Sequence, residues 1–181
     1  MARDYSEFTR RGARIAAICV DPPAVNAAMV EKLALPFAVL SDPDGEGAIK
    51  PYGVWHDERK IARPAIVLLA PDGREVFRYV GVDFMDRPGD AEIFAALDGL
   101  DLPPLLDATG PIAHLPPQPS PRAIALETLA PYMRGVQIAM TAMAERMRDP
   151  ADRAEVQRTA TMAEQFIRAQ AATRRLAAPV S

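Results

Sequence analysis

The chain has 181 residues, 49% apolar and 25% charged, with a net charge of −3. That length suits one ordinary domain with an appendage or two small domains, and that composition excludes disorder throughout. The weak negative charge offers no basic field to a polyanion, although Arg10, Arg11 and Arg14 form a short local cluster, so nucleic-acid binding is not expected.

A single cysteine, Cys19, cannot close an internal disulfide, which fits a reducing compartment. The opening "MARDYSEFTRRGAR" is charged from its third residue and lacks the apolar core of a secretory signal. No uninterrupted apolar run reaches the roughly 18 residues of a spanning helix. The expectation is a cytoplasmic protein with no membrane partner.

In chain order, "ARIAAICVD" (13–21) is a short apolar β-type run ended by Asp21-Pro22-Pro23. "AVNAAMVEKLAL" (24–35) reads as a helix with Val25, Ala28, Met29 and Leu33 on its apolar face. "FAVLSD" (37–42) is a second extended run, followed by the turn-rich "DPDGEG". Ala65 to Ala70 is continuously apolar, as in a strand buried on both faces. Pro71-Asp72-Gly73 supplies a turn, and Glu75 to Val80 alternates as a half-exposed partner strand. A helix around Ile93, Phe94 and Leu97 closes this half, giving an α/β order.

Seven prolines between Pro103 and Pro121 then make an extended, irregular stretch that divides the chain. The domain reading is 1–100, a linker over 101–121, and 122–181. Beyond the linker, Leu126, Leu129, Met133, Val136, Met140, Met143 and Met147 recur at alternating spacings of three and four, a heptad seam. Pro131 should start that helix proper or kink it. Asp149-Pro150 reads as the cap and first residue of a second helix running to about Leu176. Together these make an antiparallel helical hairpin. Such a unit has little core of its own, so its apolar seam requires cover from the first domain or from another chain. The methionines in it suit either a binding face or ordinary core between paired helices.

The segments "RRGARIAAICVDPP", "LALPFAVLSDPDGEGAIKPYGV", "ARPAIVLLAPDGREVFRYVG" and "DFMDRP", over roughly residues 3–98, resemble the AhpC/TSA (peroxiredoxin-like) family of the thioredoxin fold. The resemblance implies thiol-dependent reduction of a peroxide or disulfide, with a thiol reductant as partner and no cofactor. It places Pro64 where thioredoxin-like proteins carry a cis-proline facing the reactive thiol, with Arg63 beside it. In such proteins the nucleophilic cysteine sits at a helix N-terminus after a preceding strand, where the helix favours the thiolate.

Here the sequence opens on what resembles the end of that helix, so the expected fold is a thioredoxin-like α/β fold lacking its N-terminal strand and reactive-cysteine segment, followed by a C-terminal helical hairpin. The sheet would then have a gap between the strands at 14–20 and 65–70. Three outcomes stand open: a start upstream of Met1, direct pairing of those strands, or a strand from another chain.

Cys19 lies in a strand, with Asp21 as its nearest charge. An apolar setting and a nearby carboxylate both raise a thiol pKa, which favours a structural thiol over a redox one. The site residues are therefore Cys19 as a weak candidate, with Arg63 and Pro64 as walls. His56 and His114 have no partner at ligand spacing, and "DPDGEG" lacks the later ligands of a calcium loop, so no metal is expected. The alternative to an enzyme is a non-catalytic scaffold acting through homo-oligomeric or intramolecular packing of the C-terminal helices.

Overall fold

The computed structural model describes residues 2–83, 86–106 and 116–176. His114, Phe84, Met85 and the middle of the proline-rich stretch lie outside the described residues. The chain forms two compact units, residues 1–120 and 121–181.

The first unit contains α1 (Tyr5–Arg10), β1 (Ala16–Cys19), α2 (Pro23–Leu33), β2 (Ala38–Ser41), β3 (Trp55–His56), β4 (Ile61–Ala62), β5 (Ala65–Leu69), β6 (Glu75–Val80) and α3 (Asp90–Asp98). β1 and β2 run parallel, from Ala16 opposite Ala38 to Cys19 opposite Ser41, with α2 as their crossover. β5 and β6 form an antiparallel hairpin from Ala65 opposite Val80 to Leu69 opposite Glu75, with an irregularity at Leu68 and Leu69. β3 and β4 are a two-residue ladder with no clear sequence signal.

These are three separate two-stranded ladders. Direct pairing of β1 with β5, one of the outcomes left open by the sequence, does not occur. β5 also departs from the expected strand buried on both faces: Ala65 to Leu68 are half-buried and Leu69 is exposed. The reason is that β5 has a hydrogen-bonded neighbour on one edge only, so a run apolar enough for a central strand occupies an edge.

The core gathers where α1 and α3 meet the strands. Phe8, Ile93 and Leu97 are buried, with Ile15, Ile66, Leu68, Phe77 and Phe94 packed around them. Phe8 and Phe94 meet edge to face at 5.0 Å. The Arg11 guanidinium lies over Phe94 at 4.5 Å and bonds Asp98, tying α1 to α3. After α1 the chain turns at Gly12, whose φ is +72°, and a Cβ there would come within 2.7 Å of Leu102 and Pro103, so this turn requires glycine.

On α2 the buried residue is Asn26, whereas Met29, placed on the apolar face by periodicity, is 39% exposed. The helix turns its hydrogen-bonding side chain inward because the ends of β1 and β2 offer it partners, as the site geometry below shows.

The second unit is the expected antiparallel hairpin of α4 (Leu126–Ala144) and α5 (Pro150–Leu176). Asp149 caps α5, its Oδ1 accepting from the backbone N–H of Ala151 at 2.7 Å and Asp152 at 3.2 Å. Near the far end, Gln170 Nε2 donates to the Leu126 carbonyl at 3.0 Å, bringing the end of one helix to the start of the other. Most of the heptad seam is used inside this pair: Met133 is buried, and Leu126, Leu129, Val136, Met140 and Met147 are half-buried, but Met143, expected on the seam, is exposed. Pro131 lies within α4 rather than starting it. As its sixth residue it lies past the first turn, so its missing N–H removes one intrahelical bond, to the Glu127 carbonyl.

Candidate functional site

Cys19 ends β1 with its side chain half-buried. Its Sγ donates to Asn26 Oδ1 at 3.0 Å and lies 3.8 Å from Asp21 Oδ2. Asn26 is only 1% exposed, and its amide donates to Ser41 Oγ at 2.9 Å, the Asp21 carbonyl at 3.2 Å and the Leu40 carbonyl at 3.4 Å. One side chain thus joins the ends of both strands to the first turn of α2, and the thiol is one of its partners.

Burial pushes the Cys19 thiol up, the backbone hydrogen bond at Asp21 and the Asn26 side chain oppose this, and the Asp21 carboxylate adds to the rise. The start of α2 gives a thiolate little help, because Pro22 and Pro23 carry no N–H to point at it. With burial as the largest influence, the net direction is away from the thiolate that a reactive cysteine uses.

Arg63 and Pro64 lie between β4 and β5. Arg63 is exposed and its backbone N–H donates to the Val54 carbonyl at 2.6 Å, while the Pro64 carbonyl accepts from Gly81 at 2.7 Å. No peptide bond among the described residues is cis, which corrects the expectation for Pro64. These two backbone bonds hold an extended passage from one ladder to the next, and an extended passage needs no cis turn. The hydrogen bonds of Cys19 go to Asn26 and Asp21, not to Arg63 or Pro64.

Two further polar clusters went unrecognised in the sequence. Asp42 is buried and accepts from the backbone N–H groups of Gly47, Ala48 and Ile49, each at 2.9 Å. The Ile49 bond foremost holds its carboxyl below the usual carboxylate range. "DPDGEG" is therefore a turn closed by its first aspartate, whose oxygens are committed to the backbone.

Asp86 is also buried, accepting from the Tyr79 hydroxyl and, at 2.8 Å, from the Val82 N–H. Beside it Arg87 is lowered by burial, with Asp86 opposing. Tyr79 and Asp86 flank the exit from β6 and give no periodic signal. Asn26 gave one, a polar residue inside an apolar helical segment. Among the described residues, no group of three His, Cys, Asp or Glu side chains is placed to hold a metal ion, and no helix is long and apolar enough to cross a membrane.

Compared with known families, residues 1–78 match the AhpC/TSA family. The match runs from α1 into β6, a shorter span than the 3–98 of the sequence resemblance, and leaves α3 and the hairpin outside it. No curated protein and no solved structure matches the chain.

Proposed function

From the premise that residues 1–78 belong to the AhpC/TSA family and so have a thioredoxin-like fold, we propose a peroxiredoxin-like redox role in the cytoplasm. Its chemistry would be reduction of a peroxide or disulfide at the expense of a thiol reductant. Within residues 1–181, Cys19 is a structural thiol and not the nucleophile. The observation that carries the reading of Cys19 is its half-buried place at the end of β1, bonded to Asn26 and Asp21, where burial raises its pKa although the Asn26 bond acts the other way.

In a peroxiredoxin-type reaction, a thiolate attacks the peroxide O–O bond. Sulfur becomes sulfenic acid, the leaving oxygen departs as water or alcohol, a second thiol condenses with the sulfenic acid to a disulfide with loss of water, and a further thiol reduces that disulfide to restore the first thiol. The first requirement is a thiolate, which the Cys19 setting disfavours. Residues 1–181 alone should therefore consume no hydrogen peroxide with dithiothreitol beyond the buffer rate, and Cys19→Ser should behave identically. Turnover abolished by Cys19→Ser would overturn the assignment of Cys19.

A second reading, a non-catalytic scaffold acting through its helices, draws support from one feature of the hairpin. α4 is apolar on the side that α5 leaves uncovered.

A further inference from the structure

The hairpin buries little besides sulfur. Among its described residues, the buried apolar side chains are Met133, Ala144, Met162 and Ala163, so both of the large ones are methionines. The first unit is built differently: Phe8, Ile49, Val54, Ile93 and Leu97 are buried, and Met29, its methionine among the described residues, is 39% exposed. Counted from the bond between Gln170 and the Leu126 carbonyl, Met133 lies two turns along α4 and Ala163 two turns back along α5. Met133 and Met162 thus fall at one level of the pair.

Met133, Met140 and Met147 stand one heptad apart, which keeps them on the same side of the chain as it runs through α4 and the turn after it. Their burial is graded: Met133 is 3% exposed, and Met140 and Met147 are half-buried. Met143, on the same helix, is 41% exposed. Met162 is set apart by Arg158, whose Nη1 donates to its Sδ at 3.4 Å and engages a lone pair. That leaves the α4 sulfurs as the stronger nucleophiles. A thioether has no proton to lose, so, unlike the Cys19 thiol, it is nucleophilic without ionising.

We propose that Met133, Met140 and Met147 are a modification site for hydrogen peroxide, and that their oxidation to sulfoxide reversibly parts α4 from α5. A sulfur lone pair attacks the peroxide O–O bond. Sulfur gives up two electrons and gains the S=O bond, and the second oxygen leaves as water with both protons. The product is a polar acceptor on a seam held by apolar contact, where burying it unpaired is unfavourable. Each helix covers the seam from one side only, so opening at the half-buried Met140 and Met147 comes first and admits peroxide to Met133. This chemistry belongs to the second unit alone and holds whether or not the redox reading of Cys19 stands.

Treating the full chain with hydrogen peroxide, then mapping oxidised peptides and amide hydrogen exchange by mass spectrometry, tests it. Met143 should oxidise first, with no effect on exchange. Oxidation of Met147, Met140 and Met133 should follow, and exchange across α4 and α5 should then rise at least ~tenfold, as an unpaired polar group in the seam predicts. Exchange in the β5–β6 hairpin should not change. Reduction by the two methionine sulfoxide reductases, one for each epimer, should restore protection. Met133→Leu, Met140→Leu and Met147→Leu together conserve volume and helix propensity, so that variant should stay folded and keep its protection in peroxide. Met143→Leu alone should not protect. Seam methionines that stay reduced when Met143 is fully oxidised, oxidation of all three with protection unchanged, loss that the reductases do not reverse, or equal loss in the triple leucine variant would overturn the proposal.

Discussion

Replacing Asn26 with leucine is expected to destabilise the first unit by roughly 2–4 kcal/mol, despite the similar volume of the new side chain. Asn26 is 1% exposed, accepts from Cys19 and donates toward Ser41, Asp21 and Leu40. Leucine would leave the Asp21 and Leu40 carbonyls and Ser41 Oγ without this donor, and the Cys19 thiol with only Asp21 as acceptor. Each buried group left unsatisfied costs about 1–3 kcal/mol, and the surplus of apolar burial offsets only part of this. Urea unfolding followed at Trp55 measures the loss. A change below about 0.5 kcal/mol, the range of an ordinary surface substitution, would mean that the asparagine does not hold the strand ends together.

Leu97→Ala should be at least as costly, about 2–5 kcal/mol. Leu97 is 1% exposed and packs with Phe8 and Ile93 at the junction of α1, α3 and the strands. Truncation removes its dispersion contacts and leaves a cavity that two helices, joined there by Arg11 and Asp98, cannot easily close. Because the strands form three separate ladders, the packing around Leu97 supplies cohesion that a continuous sheet would otherwise provide. Thermal unfolding followed by far-UV circular dichroism should show the first unit melting earlier, while the hairpin signal is unchanged. Equal shifts of both would contradict the division of the core.

Much of this architecture was legible in the residues. The parallel β1–α2–β2 unit, the β5–β6 hairpin with its Pro71-Asp72-Gly73 turn, and α3 followed from periodicity and turn chemistry. So did the α4–α5 hairpin with its Asp149 cap. Local patterns encode those elements directly. The failures came where a residue answers to partners distant in sequence. Periodicity put Met29 inside and overlooked Asn26, because the strand ends that turn the asparagine inward lie on either side of α2. The apolar run at Ala65 to Ala70 suits a central strand, but its place in a sheet depends on neighbours the run does not encode. A cis bond at Pro64 followed from family resemblance, and the backbone bonds of Arg63 and Pro64 hold a trans path instead. At Cys19 burial acts in the expected direction, while Asp21 acts both ways, its backbone hydrogen bond lowering the thiol pKa and its charge raising it. The polar links of Asp42 and of Tyr79 with Asp86 had no sequence signature.

The most direct test of the central claim is the pH dependence of Cys19 alkylation by iodoacetamide in the folded chain. With the thiol pushed up by burial, the rate should be low at neutral pH. Its rise should fall at higher pH than that of a free cysteine thiol, and urea should speed the reaction by exposing the sulfur. Rapid alkylation at neutral pH that slows on unfolding would show an activated thiolate, and Cys19 would then have to be read as the reactive group of the protein.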